Sequence, residues 1–175
     1  KSAPADFQVE ERPAYLPSGD GTHRFLWVEK EDLSGPMLLK TVARRLGARP
    51  GDVGCAGLKD RRAITRQWLS VPAALPTSPQ EIDGVFGGTG RITLLDHGLH
   101  TNKLRTGHLN GNGFVIRLLE RDPKEDPAIF AAAERISTQG FINTFGEQRF
   151  GRGKNVADGM ARYSFVDEIG RRSSS

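Results

Sequence analysis

Asp60 is a single carboxylate among cations: Lys59, Arg61 and Arg62 flank it and Arg66 follows. Nearby positive charge favours the ionised form of an aspartate. An aspartate held anionic at neutral pH suits nucleophilic attack or electrostatic stabilisation, and suits proton donation poorly. A turn capped by Asp60 and paired to an arginine fits the same residues. A second segment, Lys103 to Phe114, holds Lys103, Arg105, Asn110, Asn112 and three glycines, Gly107, Gly111 and Gly113. Glycine lets backbone approach a ligand closely, the amides offer donors and acceptors, and Phe114 has a ring on which a base can stack. The alternative is an ordinary turn, with Phe114 opening a core strand. A third segment, Asn143 to Gly151, interleaves Phe145 and Phe150 with Gln148 and Arg149; the alternative there is a loop whose phenylalanines plug the core. His97, His100 and His108 lie close in sequence. Basic residues flank them, and no cysteine or paired acid joins them, so polar positions near phosphate are expected rather than a metal site.

Charge supports an anionic partner. The chain has 175 residues, 25 Lys+Arg against 21 Asp+Glu, and a net charge of +4. The excess is gathered: Lys59, Arg61, Arg62 and Arg66 oppose Asp60 in residues 57–72. Arg91, Lys103, Arg105 and Arg117 oppose Asp96 in residues 91–117, and Arg149, Arg152 and Lys154 oppose Glu147 in residues 140–154. Three such segments on one face would neutralise phosphates; solvated faces are the plainer alternative. At 37% hydrophobic and 26% charged residues, the chain reads as globular rather than disordered. No apolar run is long enough for a membrane span. The lone Cys55 excludes an internal disulfide and a multi-cysteine zinc site, and makes a reducing compartment, the cytoplasm, the expectation.

The elements that must position these residues follow from periodicity. Alternation predicts strands at Asp6–Glu10 and His23–Val28, with a Pro- and Gly-rich loop between. Ser34 is a helix N-cap with Pro36 just inside; Leu38, Leu39, Val42, Ala43 and Leu46 keep helical spacing, and Gly47 stops it. Short strands are expected at Val53–Ala56 and Thr65–Val71, separated by the polar connection Gly57–Arg62. Residues 72–90 read as a loop around a Val85-Phe86 strand. Arg91–Leu95 and Gly113–Leu119 read as strands. Asp126 caps a helix with Pro127 at its first position and Ile129, Phe130, Ala133 and Ile136 as its buried face; Gly140 ends it. A shorter helix is expected after Gly153. This order predicts an α+β fold with a mixed, largely antiparallel sheet flanked by helices. No glycine-rich phosphate fingerprint joins a strand to a helix, which disfavours a nucleotide cofactor.

Taken together, the motifs resemble one family. Ala56-Gly57-Leu58-Lys59-Asp60-Arg61-Arg62-Ala63-Ile64-Thr65-Arg66-Gln67 is similar to the signature of the TruD family of RNA pseudouridine synthases. Pro4 to Glu11, Lys103 to Phe114 and Phe141 to Gly151 resemble three further motifs of that family, in order. The resemblance implies the pseudouridine synthase catalytic fold, with a cleft that accepts a single flipped-out uridine of tRNA. It implies isomerisation of uridine to pseudouridine without cofactor or metal, by a monomer. Asp60 would be the catalytic aspartate, attacking the uracil ring or the ribose anomeric carbon. Lys1 would pair with it, Phe114 would stack on the base, and Asn112 would hold loop and substrate. Arg61, Lys103, Arg105, Gln148 and Arg149 would bind the RNA. Residues 1–175 would then be the N-terminal part of the catalytic domain, with the family's inserted domain and the C-terminal return to the sheet outside this sequence. Two other readings are a non-catalytic tRNA-binding module built on part of the same fold and a carboxylate-dependent glycosidase. The glycosidase reading needs a second facing acid, and only Asp60 stands out.

Overall fold

Alternating burial organises the first 119 residues into a sheet. The computed structural model describes residues 2–119 and 122–140, which fall into two units, residues 1–119 and 120–175. In the first unit the strands are β1 (Phe7–Pro13), β2 (His23–Glu31), β3 (Gly54–Cys55), β4 (Ile64–Pro72), β5 (Gly84–Phe86), β6 (Gly90–His100) and β7 (Leu109–Ile116). Their order is β5-β6-β2-β4-β1-β7, with β3 paired to β4 off that path. β1 runs parallel to β4; the other pairings are antiparallel. The expectation of a mixed, mainly antiparallel sheet therefore holds.

Side chains at alternate positions divide the sheet into two faces. On one face Leu26, Val28, Leu69, Val71 and Ile92 meet Leu38, Val42, Ala43 and Leu46 of helix α1 (Gly35–Leu46). Fully burying one such side chain contributes about 1.5–3 kcal/mol. The helix starts where predicted: the Met37 N–H donates to Ser34 Oγ at 3.4 Å. It stops at Gly47, which at φ +70° sits in the left-handed region and donates its N–H to the Ala43 carbonyl. The opposite face carries a smaller cluster in which Phe25, Trp68 and Leu104 pack with Tyr15 and Trp27.

Several strands differ in extent from the sequence expectation. β6 runs on through His97 to His100, because β2 pairs with it along its whole length, His23 opposite His100 and Glu31 opposite Arg91. A bulge at Trp27/Val28 accommodates the mismatch. β7 begins at Leu109, not Gly113, and stops at Ile116, since β1 fixes its register. His100 stacks on Tyr15 at 4.9 Å between ring centres, and His108 Nδ1 hydrogen-bonds the Tyr15 hydroxyl at 2.5 Å. Two of the three clustered histidines are thus packed on one tyrosine.

The second unit contributes, among the described residues, a 3-10 turn at Pro123–Glu125 and helix α2 (Asp126–Gln139). Asp126 is not its cap. The Asp122 side chain accepts from the Lys124 N–H at 2.9 Å and caps the preceding turn, so Asp126 enters the helix already in helical conformation. The expected buried face is also not buried: Phe130 is 72% and Ile136 45% exposed, Ala133 is exposed and Ile129 half-buried. The described residues of this unit are the helix and its leading turn, which supply no second layer over that stripe. Gly140 ends α2 as expected. No helix among the described residues is long and apolar enough to cross a membrane.

Candidate active site

The Asp60 segment is the connection between β3 and β4, and its position follows from strand register. Ile92, Lys30, Thr65, Val9 and Phe114 stand opposite one another across β6, β2, β4, β1 and β7. They form one row on the face that α1 covers at its other end. Two residues along β1, Glu11 lies on the same face, opposite Asn112. Three side chains from this face tie down the connection. Gln67 Nε2 donates to the Gly57 carbonyl at 3.2 Å. Lys59 Nζ pairs with Glu11 Oε2 at 2.8 Å. Lys30 Nζ donates to the Asp60 carbonyl at 2.6 Å. Asp60 is therefore held over the face from which Asn112 and Phe114 project.

The Lys59–Glu11 pair is almost fully buried, and Glu11 Oε1 also accepts the Trp68 N–H at 3.3 Å. Such a pair stabilises little relative to apolar residues, but losing one partner strands a charge. Lys30 is wholly buried. Burial pushes its ammonium down to about 8, against the upward pull of the Asp60 and Asp32 carboxylates. Asp32, at φ +44°, accepts from Thr89 Oγ1 at 2.6 Å and pairs with Arg61 at 3.5 Å. The Thr89 hydroxyl first, then Arg61 and Arg62, hold its carboxyl below the usual value.

Phe114 is 58% exposed, its ring 5.9 Å from that of Phe7 in a stacked arrangement. It does not plug a core, and its free ring face suits a planar base. Asn112 is exposed beside it. Between Lys30 and Phe114 lie three strand spacings, or about 14 Å. A cavity of about 310 Å³ is lined by Val9, Gly113 and Phe114 together with Gln8, Glu10, Arg12, Ile64, Arg66 and Val115. Alternation puts the Gln8, Glu10, Arg12, Ile64, Arg66 and Val115 side chains on the opposite face from Val9 and Phe114, and Arg66 there is already paired with Glu10 and Glu29.

The other sequence candidates separate. Arg61 leans on Asp32 yet keeps 67% of its side chain exposed. Lys103 donates to the Gly51 carbonyl, and its neighbour Leu104 packs with Phe25 and Trp68 on the far face. Arg105 is exposed on the turn whose Gly107 N–H bonds the Ala56 carbonyl, at the start of the Asp60 connection. Lys1, Gln148 and Arg149 lie outside the described residues. The N-terminal segment does reach the site's edge: Arg62 Nη2 donates to the Ser2 carbonyl at 3.4 Å. The Ala3 and Ser2 N–H groups cap Asp6, at 2.8 and 3.0 Å, and the Ala3 bond most strongly holds that carboxyl low. Sequence reading missed Lys30 and Glu11. The signal was there: Leu26, Val28, Lys30 and Val9, Glu11 each continue an inward-facing alternation.

Known proteins match this arrangement. The family model for tRNA pseudouridine synthase D (TruD) matches residues 1–163. The chain is 43% identical over 167 residues to the tRNA pseudouridine synthase D of Chromohalobacter salexigens, covering 95% of this chain and 47% of that protein. It is 45% identical over 151 residues to the tRNA pseudouridine synthase D of Thermus thermophilus, covering 86% and 41%. A crystal structure described as tRNA pseudouridine synthase D from Methanosarcina mazei superposes with a TM-score of 0.68 at 28% identity, over 86% of this chain and 34% of that one. The chain thus spans a little under half the length of the curated relatives it matches.

Proposed function

The chain belongs to the TruD family of tRNA pseudouridine synthases, and from that membership we propose that the protein carrying it isomerises uridine to pseudouridine in tRNA, with Asp60 as the attacking residue. The observation that carries this reading is the register: the Asp60 connection is pinned over the same sheet face from which Asn112 and Phe114 stand exposed. A carboxylate above a ring and an amide is what an extruded uridine needs, since flipped bases are read by stacking and by hydrogen bonds to their edges. Asp60 attacks the nucleoside, the glycosidic bond breaks, and the uracil turns. A carbon–carbon bond to the ribose then replaces the carbon–nitrogen bond, and the bond to Asp60 breaks to return its carboxylate. The C5 proton leaves and N1 gains one, so the change is a net isomerisation requiring no redox partner. Phe114 holds the plane of the base and Asn112 its edge. Arg61, Arg105 and, outside the described residues, Arg149 and Gln148 would meet the tRNA backbone; the pairing of Lys1, also outside them, with Asp60 is what the family resemblance implies. Lys103, tied to Gly51, serves as a more distant phosphate contact. The reading carries with it a monomer acting in the cytoplasm on one flipped-out uridine.

The test is carbodiimide primer-extension mapping of tRNA incubated with the intact protein. Wild type should leave a pseudouridine stop. Asp60→Asn, which keeps the shape and removes the charge, should reduce it to background while tRNA binding persists. Near-normal conversion by Asp60→Asn removes Asp60 as the nucleophile. Binding without conversion by the wild-type protein favours a tRNA-binding module instead.

A further inference from the structure

We propose that Lys30 is a positioning residue for the Asp60 reaction: its ammonium clamps the Asp60 backbone carbonyl and fixes the connection above the sheet. This inference rests on the reading of Asp60 given above. Placing a lysine there has a cost. Lys30 is completely buried in a row whose other members include Ile92, Thr65 and Val9. A buried polar group is retained without penalty only if it is hydrogen-bonded, and a methionine of similar length would fill the same space with apolar atoms. The acceptor that Lys30 reaches is the main-chain carbonyl of Asp60, at 2.6 Å.

The neighbours show what that bond achieves. The side chain before Asp60 is anchored, Lys59 to Glu11, and so is the side chain after it, Arg61 to Asp32. Asp32 also takes the chain beyond, its N–H donating to the Ala63 carbonyl at 3.4 Å. Lys30 fixes the main chain between these two anchors. Three successive residues are therefore held at three points, and the peptide that carries the Asp60 side chain cannot rotate without breaking the bond to Lys30.

The clamp has a charge dependence. Around Lys30 stand the Asp60 and Asp32 carboxylates, which favour the ammonium, and Lys59, which opposes it. Lys59 is itself paired with Glu11, and Asp32 with Arg61. With burial placing Lys30 at about 8, the ammonium loses its proton as pH rises through that value. The charge-assisted bond then becomes a weaker neutral one.

Amide hydrogen exchange of Ala63 and Asp32, whose N–H groups donate to the Arg61 and Ala63 carbonyls at 2.9 and 3.4 Å, tests this in the intact protein between about pH 6 and pH 10, corrected for intrinsic exchange. Wild type should lose protection above the Lys30 transition. Lys30→Met should exchange roughly tenfold or more faster at neutral pH, with no such transition. Its kcat for pseudouridine formation should fall by a similar factor at unchanged affinity for tRNA, and any alkaline loss of wild-type turnover should be absent from its pH profile. Protection in wild type that stays flat across the range, or exchange in Lys30→Met equal to wild type, overturns the clamp. If Lys30→Met does not fold, the wild-type pH series decides alone. Wild-type protein that binds tRNA but never converts uridine overturns the Asp60 reading itself; the exchange data separate that failure from a failure of Lys30.

Discussion

Glu11→Gln isolates the electrostatics beneath the Asp60 connection. Gln keeps the shape of Glu11 and an oxygen for the Trp68 N–H, but it removes the negative charge from a pair whose side chains are 0% and 5% exposed and 2.8 Å apart. The Lys59 ammonium is left buried without its counterion. Breaking a buried pair from one side costs about 3–5 kcal/mol, a large share of the roughly 5–15 kcal/mol that stabilises a domain. With a denaturant slope near 2 kcal/mol per molar urea, the unfolding midpoint should fall by about 2 M. Adding Lys59→Met removes the stranded charge and fills its space with apolar atoms. The double variant should recover most of the loss, since a buried pair and an apolar replacement are often near-equivalent. The double-mutant cycle should then show a coupling of about 2 kcal/mol or more. Urea titrations of the four proteins, followed by fluorescence of Trp68 and Trp27, supply the comparison. A Glu11→Gln midpoint within about 0.5 M of wild type, or a double variant no better than the worse single one, would refute the burial argument.

Phe114→Ala should slow turnover by roughly five- to hundredfold, because base–aromatic stacking is worth about 1–3 kcal/mol, while stability hardly changes for a ring that is 58% exposed. Phe114→Leu, with bulk but no π-face, should remain slow in steady-state assays; wild-type turnover by that variant would assign the ring to packing. Affinity for tRNA, read by filter binding across a salt series, should fall linearly in log–log form through phosphate contacts, and charge reversal at Arg61, Arg105 or Arg149 should make the slope shallower. Asp6 and Asp32 both titrate below the ordinary value of 3.8 in the folded chain. Their stabilisation is therefore present above that value and is lost as pH falls through the folded-state pKa values. Denaturation midpoints should drop on acidification below about pH 4, and less steeply in Asp6→Asn and Asp32→Asn.

What was legible in the sequence was what local rules control. α1 announced itself through Ser34, Pro36, the apolar spacing and Gly47, because cap and period act within a few residues. The cationic setting of Asp60 was visible because Lys59, Arg61 and Arg62 adjoin it. What those cations do was not visible. Lys59 pairs with Glu11 and Arg61 with Asp32, partners brought close only when β1, β2 and β4 align. Lys30 and Glu11 carry no role in the sequence reading because charged residues are almost never fully buried unless paired, and the register supplies their partners. β6 was cut short because Asp96, His97 and His100 interrupt its apolar pattern; pairing with β2 outweighs that local signal. The face of α2 failed for the opposite reason. Its helical spacing is real, but burial depends on a second layer that periodicity alone does not supply.

The parallel pairing of β1 with β4 has a consequence for how this sheet is made. β1 is synthesised before the strands it sits between, which come much later: Gln8 pairs with Ile64, and Phe7 with Ile116. β2, β4 and β6 can meet as antiparallel neighbours before that slot is filled. Each long-range pairing must overcome loop-closure entropy before its contacts repay it, so topologies of this kind fold slowly. The slot that β1 fills is also where the face carrying Asn112 and Phe114 is completed, since it brings Glu11 under Lys59 and gives β7 its register. On an emerging chain, β1 therefore waits for β4 to leave the ribosome, and its other edge stays unpaired until residues past 116 have followed. Substitutions at Phe7 and Val9 should therefore show in nascent-chain handling as well as in the stability of the finished sheet.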